Sequence, residues 1–232
     1  MDGGWLRALA DLLLPRTCAG CGLPGSVLCP RCAALLAQPR PASPRRFPDG
    51  FPPAAAAGAY AGPVRPALIA FKERGRAELA APLGAALALA VAAVVTAAGP
   101  RPARPVLLVP VPSTPAAVRV RGRDHVRELT RRAESELRAA GLDARTTRLL
   151  RRRGRVRDSA ELSAAARRAN LAGSFVVDTR RAVVPRGALL VVVDDVVTSG
   201  ATLTEAAGAL ARVVEGPAPV LGAVVAATPK RP

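Results

Sequence analysis

Aromatic side chains make up only 3% of this sequence: one Trp, one Tyr and four Phe. The apolar half of the chain is mostly alanine and valine, so the core is expected to consist of small and β-branched residues rather than rings. The same scarcity argues against base stacking as the main mode of any nucleic-acid contact. Histidine occurs once, at His125. That leaves a single imidazole for acid–base work, and a surface or hydrogen-bonded helix position is the simpler expectation for it. Lysine occurs only at Lys72 and Lys230, and acids number 17 against 34 Lys plus Arg, for a formal net charge of +17. Such an arginine-rich surface attracts phosphates, nucleic acid or acidic partners. Charge alone specifies no partner, however, and the Arg, Ala, Gly and Pro content also fits a biased coding composition. Internal repeats are absent. Residues 1–14 contain Asp2 and Asp11 and lack a basic start followed by a small-residue cleavage site, so a cytoplasmic location is expected. Residues 79–98 are apolar for about the length of a membrane span. They are mostly alanine, contain Pro82 and Gly84, and read as a buried helix rather than a membrane span.

What is present organises into a small N-terminal unit and a larger alternating one. The 232 residues suit one α/β domain with an appendage. Trp5, Leu6, Leu9, Leu12 and Leu13 fall at helical spacing. Residues 1–38 hold that amphipathic helix and all four cysteines. Residues 39–53 are proline-rich and are expected to be a linker without regular structure. Residues 54–232 alternate strand and helix patterns. Strands are expected over 54–60, 106–111, 144–150, 175–177, 188–193 and 220–226. Helices are expected over 64–74, 78–98, 126–140 and 201–214. This alternation predicts an α/β fold with a mostly parallel sheet flanked by helices.

The cysteines are Cys18, Cys21, Cys29 and Cys32, spaced C-x2-C-x7-C-x2-C. Two such pairs can place four thiolates tetrahedrally around zinc, and four protein ligands leave no open position, so the zinc would be structural. A disulfide framework is the alternative, and an expected cytoplasmic chain disfavours it.

Residues 189–203 read LLVVVDDVVTSGATL. An apolar strand runs into Asp194 and Asp195, a short loop follows, and a helix begins. Ligands of open α/β sheets bind at such strand ends, beside helix N-termini whose unpaired N–H groups favour anions. Val197, Thr198, Ser199, Gly200, Ala201 and Thr202 supply amides and hydroxyls, and Gly200 lets the backbone approach a phosphate closely. A phosphate alone would be repelled by two acids. A sugar phosphate would not, because carboxylates accept from vicinal hydroxyls while the loop holds the phosphate. The pattern points to a ribose 5-phosphate group. A diphosphate with its divalent ion needs donors and positive charge on the opposite side. Ser113, at the end of the 106–111 strand, with Arg121 and Arg123 after it, fits that need, as does Lys72. A second basic segment carries Arg148, Arg151, Arg152, Arg153, Arg155 and Arg157 around Gly154, and is suited to close over a polyanion.

The 189–203 segment resembles the phosphoribosyl-diphosphate motif of type I phosphoribosyltransferases. By that resemblance Asp194 and Asp195 hold the ribose 2′ and 3′ hydroxyls, and residues 198–202 hold the 5′-phosphate. The wider set is similar to the ComF (ComFC-like) family: Lys72-Glu73-Arg74-Gly75-Arg76, Val109-Pro110-Val111-Pro112, Arg121-Gly122-Arg123-Asp124-His125, and Leu162-Ser163 with Arg167, Arg168, Asn170 and Leu171. The resemblance spans nearly the whole chain. It implies a type I phosphoribosyltransferase-like domain, an N-terminal zinc module, phosphoribosyl diphosphate with magnesium as ligand, and an association with DNA uptake in competent bacteria. Two segments depart from the family. Arg123-Asp124-His125 stands where Phe-Asn-Gln is common, and Ser159-Ala160-Glu161 precedes Leu162-Ser163 where Gln-Ala-Gly is common. Both would face the acceptor or the diphosphate, so the acceptor stays open. Three functions fit at this point: phosphoribosyl transfer, single-stranded DNA binding alongside uptake proteins without catalysis, and sensing of phosphoribosyl diphosphate.

Overall fold

Proline, glycine and polar residues punctuate the apolar runs, and among the described residues the main runs form the strands and helices of the core. The computed structural model describes residues 16–42, 44, 49–99, 105–153, 173–178, 184–212 and 220–229. The amphipathic helix expected over 5–14 and the basic residues from Gly154 to Leu171 lie outside them. In chain order the N-terminal elements are α1 (Pro30–Ala34), β1 (Arg40–Pro41), β2 (Ala54–Ala59), α2 (Val64–Glu73) and α3 (Ala80–Ala97). Then come β3 (Val106–Pro110), α4 (Pro115–Arg121), α5 (His125–Ala139), β4 (Ala144–Thr146) and β5 (Leu150–Arg152). The chain closes with β6 (Phe175–Val177), β7 (Leu189–Val197), α6 (Ala201–Ala211) and β8 (Leu221–Ala227).

Six strands form one sheet in the order β1-β2-β8-β7-β3-β4. Every pair is parallel except β1–β2. The protein is therefore α/β, with a mostly parallel mixed sheet flanked by helices. β7 lies between β8 and β3, and β5 and β6 form a separate antiparallel pair.

The pleat of β7 divides its side chains between two cores. Leu189, Val191 and Val193 face α2, α3 and α5, where Phe71, Leu83, Leu87 and Leu129 are buried. Leu190 and Val192 face the other way, onto Leu203, Ala206 and Leu210 of α6 and Phe175 of β6. In α5 the buried positions His125, Val126, Leu129, Ala133 and Leu137 make one apolar stripe, and Asp124 caps its start by accepting from the Arg127 amide at 3.3 Å. Among the described residues one helix is long and apolar enough to cross a membrane, Ala77–Ala97 including α3, and 56% of its apolar stretch is buried inside the protein. It packs on β8 and α5, as the buried-helix reading expects.

Four elements differ from the expectations. The 144–150 run splits: β4 stays beside β3, the Thr147 amide bonds Leu108 at 2.9 Å, and the chain then leaves to pair β5 with β6. β7 continues through both acids because Val196 and Val197 still pair with Ala226 and Ala227. The proline-rich segment contains β1, an edge strand in which Pro41 needs no donor on its outer side. α4 was not expected, yet Thr114 caps it by accepting from the Ala117 amide, and Pro115 occupies its first turn.

Missing side chains set the closest approaches. A Cβ at Gly58 would collide with the Leu35 carbonyl oxygen and the Leu36 side chain, which lie on β2. A Cβ at Gly84 would collide with Arg132 where α3 crosses α5. Gly58→Ala is therefore expected to destabilise the fold by about 1–3 kcal/mol. The check is a lower urea midpoint at unchanged slope, and an unchanged midpoint would show that the contact yields freely.

Candidate functional site

The carboxyl ends of β3 and β7 lie together, and helices α5 and α6 start there. At this edge the pleat sends the two acids of β7 to opposite faces. Asp195 goes toward α2 and α5 and is only 4% exposed. Its Oδ2 accepts from Lys72 Nζ at 2.9 Å and lies 3.2 Å from His125 Nε2, and its Oδ1 accepts from the Val196 amide at 2.8 Å. Burial alone would raise the Asp195 carboxyl, but His125 and Lys72 outweigh it and hold it well below the usual carboxylate range. Burial would likewise lower the Lys72 ammonium, and the Asp195 charge instead holds it above its ordinary value.

Asp194 goes toward the α6 side, half-buried, and accepts from the Asp195 amide at 2.9 Å. Burial and the adjacent Asp195 charge raise its carboxyl well above the ordinary value. Its field reaches Arg152 of β5, whose Nε donates to the Pro112 carbonyl at 2.9 Å and whose guanidinium lies 5.0 Å from the Phe175 ring centre.

The loop after β7 begins beyond Val197. Thr198 is exposed, Ser199 and Thr202 are half-buried, and Ala201 opens α6. Gly200 is the N-cap with φ of 77°, in the left-handed region that favours glycine, and no side chain caps the helix. The first-turn N–H groups of α6 thus carry no side-chain acceptor. On its other side Gly200 is covered by Phe51 and Pro44, which a Cβ would strike.

The remaining predicted residues gather around α2 and the start of α5, each already held by the protein. Ser113 donates to Asp124 at 3.1 Å. Arg121 makes a two-pronged contact with Glu73, at 3.2 and 3.0 Å, and its Nη1 lies 3.5 Å from His125 Nδ1. Arg123 pairs with Glu128 at 2.8 Å and stacks 4.1 Å over the Phe71 ring. Sequence reasoning did not find Arg152 opposite Asp194, Phe51 over the loop, or the contact of His125 with Asp195. His125 proves to be a hydrogen-bonded helix residue, but buried rather than on the surface. Its signal was its position: directly after an aspartate N-cap, at the helix start that follows β3.

The four cysteine sulfurs lie within 4.8 Å of one another. Zinc–thiolate bonds of about 2.3 Å in a tetrahedron place sulfurs about 3.8 Å apart, and Cys21 and Cys29 are at 3.6 Å. Burial pushes the Cys18 thiol up, but the amides of Cys29, Cys21 and Gly20 overcome it and bring the value to about 6. Burial beside the other three sulfurs pushes Cys32 up. Four sulfurs this close together can hold a metal ion such as zinc. The module is tied to the sheet unit by Arg76 Nη1, which donates to the Thr17 carbonyl at 2.8 Å.

No family model matches this sequence, and a search of curated proteins finds no significant match. Fold and site together define an α/β protein with an acid pair and an uncapped helix start at the end of a central parallel strand. A four-cysteine cluster able to bind a metal such as zinc precedes that unit.

Two outcomes follow. Gently purified protein is expected to contain one zinc per chain by elemental analysis, lost in Cys32→Ser; metal-free protein with four titratable thiols would refute the cluster. The acid pair should split in stability. Breaking a buried pair costs about 3–5 kcal/mol, and because Lys72 is 35% exposed, solvent screening reduces the loss in Asp195→Asn to about 2 kcal/mol. A depressed carboxyl stabilises above its unfolded value of about 3.9, so this loss should shrink as the pH falls through the folded value. Asp194→Asn should instead raise Tm at pH 7, since a raised carboxyl is penalised when ionised. Equal Tm changes of the same sign would contradict this account.

Proposed function

We propose that this protein binds phosphoribosyl diphosphate, or another ligand bearing a ribose 5-phosphate group, on a type I phosphoribosyltransferase-like domain of the ComF kind. The observation that carries the reading is the uncapped start of α6 at the end of the strand that bears Asp194 and Asp195. First-turn amides of α6, with Thr198, Ser199 and Thr202, receive the 5′-phosphate. The half-buried Asp194 accepts from sugar hydroxyls, which offsets its desolvation. Lys72, with Arg121 and Arg123 ahead of α5, supplies the positive side for a diphosphate. Magnesium accompanies that diphosphate as part of the ligand and neutralises its charge.

Where transfer occurs, the bond between the sugar C1 and the diphosphate oxygen breaks, and its electron pair leaves on the diphosphate. An acceptor lone pair forms the new bond to C1, and the acceptor loses its proton. The place of the protein in DNA uptake, and the structural role of a zinc held by Cys18, Cys21, Cys29 and Cys32, rest on the likeness to the ComF family.

The test is calorimetric titration with phosphoribosyl diphosphate and magnesium. Wild-type binding is expected, weakened roughly tenfold or more in Asp194→Asn, as for loss of a hydrogen bond to a charged group. Affinity that is unchanged in Asp194→Asn, or absent from the wild type, would sink the sugar-phosphate reading.

A further inference from the structure

The acid pair offers two carboxylates of equal chemistry in sharply unequal surroundings. Asp195 has both oxygens engaged: Oδ2 by Lys72 and His125, and Oδ1 by the Val196 amide. With 4% exposure it has little room for further donors. Asp194, one residue earlier and on the other face, keeps part of its surface open. The contacts of Asp195 extend outward. Arginine can only donate, so Arg121 Nη1 beside His125 Nδ1 leaves that nitrogen as acceptor and puts the ring proton on Nε2, facing Asp195. Arg121 is itself fixed by Glu73, at the end of the helix that carries Lys72. A circuit of contacts results, Glu73 to Arg121 to His125 to Asp195 to Lys72, closed through the backbone because Lys72 and Glu73 are consecutive on α2. It joins the end of α2, the end of α4, the start of α5 and the end of β7.

From this geometry we infer that Asp195 is a positioning residue: it aims the Lys72 ammonium and fixes the His125 tautomer, while Asp194 alone meets the sugar hydroxyls. The division of labour between the acids rests on the sugar-phosphate reading above; the circuit itself does not. The partly exposed Lys72 ammonium, held in place by Asp195, is the group that reaches the diphosphate.

The composition makes the test direct, because the chain has one histidine and two lysines. In full-length protein labelled with 15N at histidine rings and lysine ammonium groups, His125 is expected to show its proton on Nε2. Asp195→Asn should displace the His125 and Lys72 signals together, and Asp194→Asn should shift them far less. His125→Leu should displace the Lys72 signal, and His125→Gln, which restores an N–H donor, should return it. These two variants keep the test decisive if Asp195→Asn folds poorly. A proton on Nδ1, or Lys72 signals indifferent to Asp195 and His125, would overturn the circuit.

Titrations with magnesium pyrophosphate and with magnesium phosphoribosyl diphosphate then separate the two acids. Asp195→Asn should weaken both ligands by a similar factor, roughly tenfold. Asp194→Asn should weaken only the ligand that carries the sugar. Asp195→Asn weakening only the sugar-bearing ligand would overturn the division of labour. Wild-type protein that binds neither ligand would overturn the sugar-phosphate reading and the division with it, while the NMR result would still decide the circuit.

Discussion

Asp195 is a carboxylate held in the interior, and the architecture around the site answers its charge. An ionised carboxyl at 4% exposure is tolerated only when cations and donors surround it. Here they come from two helices on one face of the sheet: Lys72 from the end of α2 and His125 from the start of α5. Meeting that demand pins both helix ends to the carboxyl end of β7. It also engages both carboxylate oxygens of Asp195. The neighbouring Asp194 feels the same charge as repulsion and is left raised and half-buried, which costs stability when it is ionised. The pair is therefore one electrostatic unit with two unequal halves.

That unit sits on a scaffold built with few large side chains. β2 reads AAAAGA and β8 reads LGAVVAA, so the sheet is lined by small residues and its neighbours approach closely. Gly58 lets the two residues that follow α1 lie on β2, and Gly84 lets α3 cross α5 at short range. Large side chains are reserved for a few places. Phe71 packs edge-on to His125 with ring centres 6.4 Å apart and also carries Arg123. Phe175 carries Arg152, and Phe51 covers Gly200. Phe71 and Phe175 thus hold cations beside the site while also filling the two cores.

The sequence made the central strand, the loop after it, the long helices and the cysteine cluster legible because each has a local cause. Apolar runs bounded by breakers, helical spacing and a C-x2-C spacing all act within a few residues. What it did not disclose depends on distant partners. Asp194 and Asp195 look equivalent in the sequence, and only the pleat and the helices packed on one face make them different. Arg121 and Arg123 look like free cations, and Glu73 and Glu128 hold them. The 144–150 run looks like one strand, and competition between β3 and β6 for it produces two. The 39–53 segment looks like a linker, yet β2 pairs with its start and Gly200 packs against Pro44 and Phe51.

The most direct test of the central claim is a crystal structure of the protein with ribose 5-phosphate bound. The account places the sugar hydroxyls on Asp194 and the phosphate at the start of α6, with Asp195 still bonded to Lys72 and His125. A ligand gripped by both carboxylates, with Lys72 released from Asp195, would contradict it.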